Sequence, residues 1–312
     1  MIAKLERDFI AADLSSVENL LTEMTPSDFV ARRALEGRRD ELQSQLASVT
    51  ASEQTLASAA LFFGGQPVIS NKGIESEFGA SVIGTFQDIV AKVAAGRRYS
   101  LLGQRGPVSD KDESKLHITN IVRGSFGFEF QELADQGSIL NSELKEAVDE
   151  AVKLMVSFDD SGADLLNESV ESIDNRILDT IRKFFGLLHD GHATFRIVAA
   201  NVDRSYDRLS VERAMQRASV TTIEENEVAF SGRLVGLLPQ HRAFEYVTET
   251  GDLLYGKVDK SLQNDAVSRF LQDWYERKSH ARIRVKRILR PGRDPLTAYF
   301  LLNISNGSAI IR

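Results

Sequence analysis

No cysteine occurs among the 312 residues, which excludes a disulfide framework, a Cys-ligated zinc or iron–sulfur site, and a thiol nucleophile. The 5 histidines cluster poorly, and together with the missing cysteine this argues against a transition-metal enzyme. Proline (6) and glycine (21) are too few, and apolar residues at 42% too many, for a collagen-like or disordered chain. No apolar run approaches the roughly 20 residues needed to span a bilayer; Leu61–Phe63 and Phe184–Leu188 are a fraction of that. The opening MIAKLERDFIAADL is studded with charge and lacks the apolar centre of a secretory signal. A cytoplasmic protein with no membrane partner is therefore expected. Excess positive charge is missing too. With 38 Lys and Arg against 45 Asp and Glu, the net charge is −7, which excludes a globally basic nucleic-acid or membrane binder and leaves a local basic patch open.

What is present reads as an α+β protein in three parts. Residues 1–57 predict a helical hairpin or short coiled coil. Ser15-x-x-Glu18 and Thr25-Pro-Ser-Asp28 are capping signatures, and Pro26 falls at the first helical position. Leu35, Leu42, Leu46 and Val49 then follow a 7-4-3 spacing, with Arg39 in the remaining seam position. That stripe can join two chains, or pack back on Val17, Leu20, Leu21 and Met24 of its own chain; so short a repeat favours the second.

Residues 58–220 predict a mixed α/β module. Short strands flank Gly64-Gly65-Gln66-Pro67, and a helix carrying Ile74, Phe78, Val82, Phe86, Ile89, Val90 and Val93 ends at Gly96. Phe126, Phe128 and Phe130 alternate as a strand, where Gly124 and Gly127 suggest a bulge or a close backbone approach. Two further helices carry Leu144, Val148, Ala151, Met155 and Phe158, then Ile173, Ile177, Ile181, Phe184 and Leu188, the second capped by Asp174 and stopped at Gly191. A strand over Phe195–Ala199 and a short helix over Ser210–Ala218 complete the module. Residues 221–312 predict a small five-stranded β-barrel. The strands run over Glu227–Leu238, Arg242–Glu249, Asp252–Val258, Ala281–Leu289 and Leu296–Ile304, with an amphipathic helix marked by Val267, Phe270, Leu271, Trp274 and Tyr275 before the last two. This order is OB-like; an SH3-like barrel is the alternative.

Catalytic signatures are mostly missing. There is no phosphate-binding Gly-x-x-x-x-Gly-Lys-Ser/Thr loop, dinucleotide fingerprint or nucleophile elbow. Ser125 lies within an alternating strand pattern, which suits no strained nucleophile. His189 and His192 sit where a helix stops, a position that favours the helix dipole over a metal. Asp110, Glu113 and Lys115 match the residue types of some metal-dependent nucleases, but the run Ser-Asp-Lys-Asp-Glu-Ser-Lys reads as a solvated loop. No catalytic residue, metal site or cofactor is expected.

The most informative segment is Arg277–Arg293, with eight basic residues and no acid. Alternation puts Arg282, Arg284 and Lys286 on one strand face, opposite Ile283 and Val285. Arg290 and Arg293 belong to the loop between the last two strands, and Arg242 follows the first strand. In an OB-fold those loops flank the oligonucleotide face, and Phe244 and Tyr246 are candidate stacking surfaces, unless they are simply core. Against this stands an acidic stretch. Residues 139–179 carry 11 acids and 3 bases, a net of −8, while residues 225–312 carry 14 bases and 10 acids, a net of +4. The two can attract each other, within one chain or between copies, and so occupy the basic patch.

A non-catalytic interaction or assembly protein, binding a protein partner or itself, is the leading expectation. Single-stranded nucleic-acid binding by the barrel is second, and a metal-dependent hydrolase using Asp110 and Glu113 is third.

Overall fold

The computed structural model describes residues 3–24, 28–49, 55–70, 72–99, 106, 108, 110–122, 126–133, 142–159, 170–199 and 202–306. The Thr25–Ser27 cap and the Gly124–Ser125 pair lie outside them.

Helices α1 (Ala3–Glu23) and α2 (Phe29–Val49) form the expected hairpin. Leu14, Val17 and Leu21 on α1 and Met24 just after it, with Leu35 and Leu46 on α2, are half-buried, and Leu42 is fully buried. The 7-4 part of the spacing thus faces the chain's own partner helix. Leu20, expected in that seam, stays exposed. Val49 closes α2, and its side chain is not among those described.

The central module is an all-antiparallel sheet in the order β4-β5-β1-β6-β7, built from β1 (Ser58–Gly65), β4 (His117–Val122), β5 (Phe126–Gln131), β6 (Ala193–Ala199) and β7 (Val202–Tyr206). Strand β7 gave no expectation beforehand. The short β2 (Val68–Ile69) pairs with β3 (Gly73–Ile74), not with β1 as the turn at Gly64–Pro67 suggested. Helices α3 (Ser76–Arg98), α4 (Glu143–Val156), α5 (Asn175–Asp190) and α6 (Arg208–Val220) share one core with the sheet. The stripes read from the sequence are the buried ones: Val82, Phe86 and Ile89 on α3, Val148, Ala151 and Met155 on α4, Ile177, Ile181 and Phe184 on α5. The Val, Ile, Phe and Met side chains among them each contribute about 1.5–3 kcal/mol by leaving water. Aromatic rings knit the layers, with Phe184 at 5.2 Å from Phe195 and Phe86 at 5.4 Å from Phe130. Asp174 caps α5 by accepting from the Ile177 N–H, as expected. Helix α3 runs two residues past Gly96, where Arg97 pairs with Glu150 at 2.8 Å and Arg98 with Glu143 at 3.0 Å, both on α4.

Strand β1 is apolar throughout because both its faces are covered. Ala59, Leu61 and Phe63 meet the helical layer, whereas Ala60 and Phe62 join Val198 and Leu5 of α1 in a small second core. Gly127 fits that second core: a Cβ there would stand 2.4 Å from the Phe62 ring. The close approach foreseen at this glycine is real. Around the same core, Asp203 accepts from Arg196 Nε at 2.8 Å and from Lys4 Nζ at 2.8 Å, and the Arg196 guanidinium lies 5.4 Å above the Phe62 ring. These contacts fasten the base of the hairpin to the sheet.

The C-terminal part is a closed barrel of β8 (Thr222–Leu238), β9 (Ala243–Thr248), β10 (Leu253–Val258), β11 (Lys278–Leu289) and β12 (Leu296–Ser305), with α7 (Asn264–Trp274) before β11. Its order, β8-β9-β10-β12-β11 and back to β8, closes through a parallel pairing of β10 with β12, Lys257 opposite Phe300. That order, with the helix between the third and fourth strands, is the OB-like one of the two expected barrels. Strands β8 and β11 start earlier than the alternation suggested, at Thr222 and Lys278. Their extra length forms a ladder whose end, Ile223 and Ile288, enters the core of the central module. No described helix is long and apolar enough to cross a membrane.

Candidate functional site

The β8–β11 ladder decides what the basic strand does. Its register sets Glu225 opposite Lys286, Glu227 opposite Arg284 and Ala229 opposite Arg282. Strand alternation places these six on one face, as expected. That face also holds Ile223 and Ile288, so at its inner end it meets the central module instead of water.

Arg284 and Lys286 are consequently buried, at 6% and 5% exposure. Lys286 Nζ donates to the carbonyls of Glu171 and Ile173 at 2.9 and 3.0 Å, and lies 3.5 Å from the Glu225 carboxylate. Arg284 Nη2 donates to Asp259 Oδ2 at 2.7 Å, and its Nε is 3.8 Å from Glu225. Both cations lie over the Phe300 ring, at 4.9 and 5.1 Å from its centre. Burial pulls the proton affinity of Lys286 down, against the opposing pull of Glu225. Burial raises that of Asp174 nearby, opposed by the hydrogen bond from Ile177 and the charge of Lys286. The two charges expected to grip a polyanion are thus compensated inside the molecule.

The remaining predicted nucleic-acid residues scatter. Phe244 and Tyr246 are 1% and 0% exposed and fill the barrel core, so neither can stack on a base. The Tyr246 hydroxyl donates inward, to the Ser279 carbonyl at 2.7 Å. Arg242, in a left-handed turn at φ 47°, donates to Asn264 at 2.7 Å and to the carbonyls of Asp259 and Leu262 at 2.6 and 2.8 Å. It ties the β8–β9 turn to the loop before α7. Arg282 is exposed and lies 3.7 Å from Glu227. Arg290 and Arg293 sit away from this junction, beside the C-terminal ends of α4 and α6. The set foreseen as one surface is therefore not assembled.

Beside the buried pairs lies a cleft of about 420 Å³ between barrel and central module, lined by Arg97, His241, Lys257, Lys260 and Phe300 among others. Lys260 Nζ donates to the last-turn carbonyls of α3, Gly96 at 2.7 Å and Arg97 at 2.6 Å. Its proton affinity is lowered, first by burial. This lysine holds the barrel against the end of α3.

The outward face of the second and third barrel strands carries Glu245, Val247, Leu253 and Tyr255. Leu253 is 59% exposed and Tyr255 60%. Neither was singled out from the sequence, although the alternation of Leu253 and Tyr255 with buried Leu254 and Gly256 was there to find them. Gly256 admits the β10–β12 closure: a Cβ there would meet the Tyr299 carbonyl at 2.1 Å.

Of the hydrolase candidates, Asp110 accepts from the Tyr99 hydroxyl, Glu113 pairs with Arg98, and Lys115 pairs with Asp112 at 2.6 Å. They form separate surface pairs, not a shared metal cradle. His189 faces Asp190 at 3.2 Å, and His192 faces Arg208 at 3.2 Å. Among the described residues, no three His, Asp or Glu side chains gather as metal ligands. No protein-family model, curated protein or solved structure matches this chain.

Proposed function

We propose that this is a non-catalytic, cytoplasmic assembly protein that associates with itself through the N-terminal hairpin. The observation that carries this reading is the pattern of exposure on the hairpin. Only Leu5 and Leu42 of its described apolar side chains are fully buried. Phe29 and Val30, the first residues of α2, stand 73% and 82% exposed, and Phe9 and Leu20 on α1 are about half exposed at 46% and 50%. Exposed large apolar groups on a two-helix arm are the usual material of a protein–protein contact. The inward pairing of Arg284 and Lys286 supports the same reading, since it takes off the surface two of the charges expected to meet a polyanion.

Sedimentation equilibrium of the full chain, from low to high micromolar, tests it. The expected result is a mass that rises to a multiple of the monomer, and a Phe29→Asp/Val30→Asp variant that stays monomeric. A full chain that is monomeric throughout, or a variant that associates as the parent does, would overturn the reading. Point variants suit this test better than removal of the hairpin, because Leu5 covers Phe62 and Val198.

A further inference from the structure

The loop between β11 and β12 brings Arg290 and Arg293 to a small cavity of about 130 Å³, whose wall also holds Arg217 of α6 and Ser157 and Asp159 at the end of α4. Asp159 is buried and pairs with Arg204, so its charge is already met. Among the described residues, no carboxylate pairs with Arg290 or Arg293, and the buried Arg290 Nε has no hydrogen-bond partner. Partial burial and the neighbouring Arg293 both lower the proton affinity of Arg290, and no acid opposes them. A half-buried guanidinium beside a second one, without a counter-charge, is a costly arrangement that an anion relieves.

We propose that Arg290 and Arg293 form a binding site for a phosphate group. Size and shape fit that class. At about 30 Å³ per water, the cavity holds roughly four waters, room for one tetrahedral oxyanion. Arginine presents its donors as a planar fork that matches two phosphate oxygens at once. Pro291 and Arg293 at the rim are exposed, so the organic part of a phosphate monoester can extend into solvent. The site is independent of the hairpin and of the proposed self-association.

Isothermal titration calorimetry on the full chain, at constant ionic strength, tests the proposal with three probes: inorganic phosphate, adenosine 5′-monophosphate and adenosine. Phosphate and the monophosphate are expected to bind, and adenosine is not. If only the monophosphate binds, the source is an ester and not the free ion. Arg290→Gln and Arg293→Gln should each weaken binding at least tenfold, while Arg282→Gln, at the remote pair with Glu227, leaves it unchanged. Circular dichroism of each variant confirms that it is folded, and Arg290→Lys, which keeps the charge, is expected to retain part of the affinity. Absence of binding by all probes would overturn the proposal and mean that the arginine charges are met within the chain. Equal loss in Arg282→Gln would overturn it as well, by reducing the effect to general charge attraction.

Discussion

The central sheet and the barrel are both antiparallel, yet they are covered by different chemistry. The sheet is covered by apolar stripes on four helices, and its contacts are aromatic and aliphatic: Phe184 on Phe195, Phe86 on Phe130. The barrel meets the same body partly through Ile223 and Ile288, and otherwise through charge: Lys286 on two carbonyls and Glu225, Arg284 on Asp259, Lys260 on the end of α3. The difference teaches that a polar strand face is not by itself a wet one. Alternation assigns a residue to a face; the tertiary arrangement decides what that face touches.

Two substitutions in the central module separate apolar from polar contacts. The largest effect belongs to the apolar side. Phe184→Ala should cost about 3–5 kcal/mol, the lost burial plus an unfilled cavity. In urea unfolding that loss should be the same at low and high salt, since no charge is involved. A strongly salt-dependent loss would mean that the residue acts through something other than packing.

A smaller effect belongs to the polar contact that holds the hairpin on the sheet. The hydrogen bond from Arg196 holds the Asp203 carboxyl down to about 2, aided by Lys4 and opposed by burial. The folded carboxyl thus binds its proton less tightly than the unfolded one. Its contribution is present in full above the ordinary value near 3.8 and is lost as pH falls through about 2. Asp203→Asn should therefore cost about 1–2 kcal/mol at neutral pH, and the gap to the parent should close between pH 4 and pH 2. A gap that persists at pH 2 would show that the carboxylate charge is not what matters.

Much of the fold was legible in the sequence, for reasons that are local. The helices of the central module are long and strongly periodic, and Asp174 and Gly191 mark the ends of α5 in the expected places. The barrel was legible from its strand count and the position of its helix. What choice between barrels required, the parallel pairing of Lys257 with Phe300, is a long-range contact that no local pattern carries. The candidate site was less legible. Phe244 and Tyr246 alternate with Glu245, and that alone argues that both point inward. The fate of Arg284 and Lys286 hung on Glu225, which lies in the part of β8 that the alternation left out. Acids on one strand opposite bases on its neighbour form a complementary pair of strands once the register is known, and the register is what the sequence does not supply.

The inner part of the basic strand is internal. A double-mutant cycle on Arg284 and Asp259, read by urea unfolding of the full chain, tests it most directly. Arg284→Met and Asp259→Leu should each be destabilising, and the double variant should lose less than the two losses added, by about 1 kcal/mol or more. Single replacements that cost under about 0.5 kcal/mol and simply add, as at an exposed charge, would contradict it and return Arg284 to the surface as a free cation.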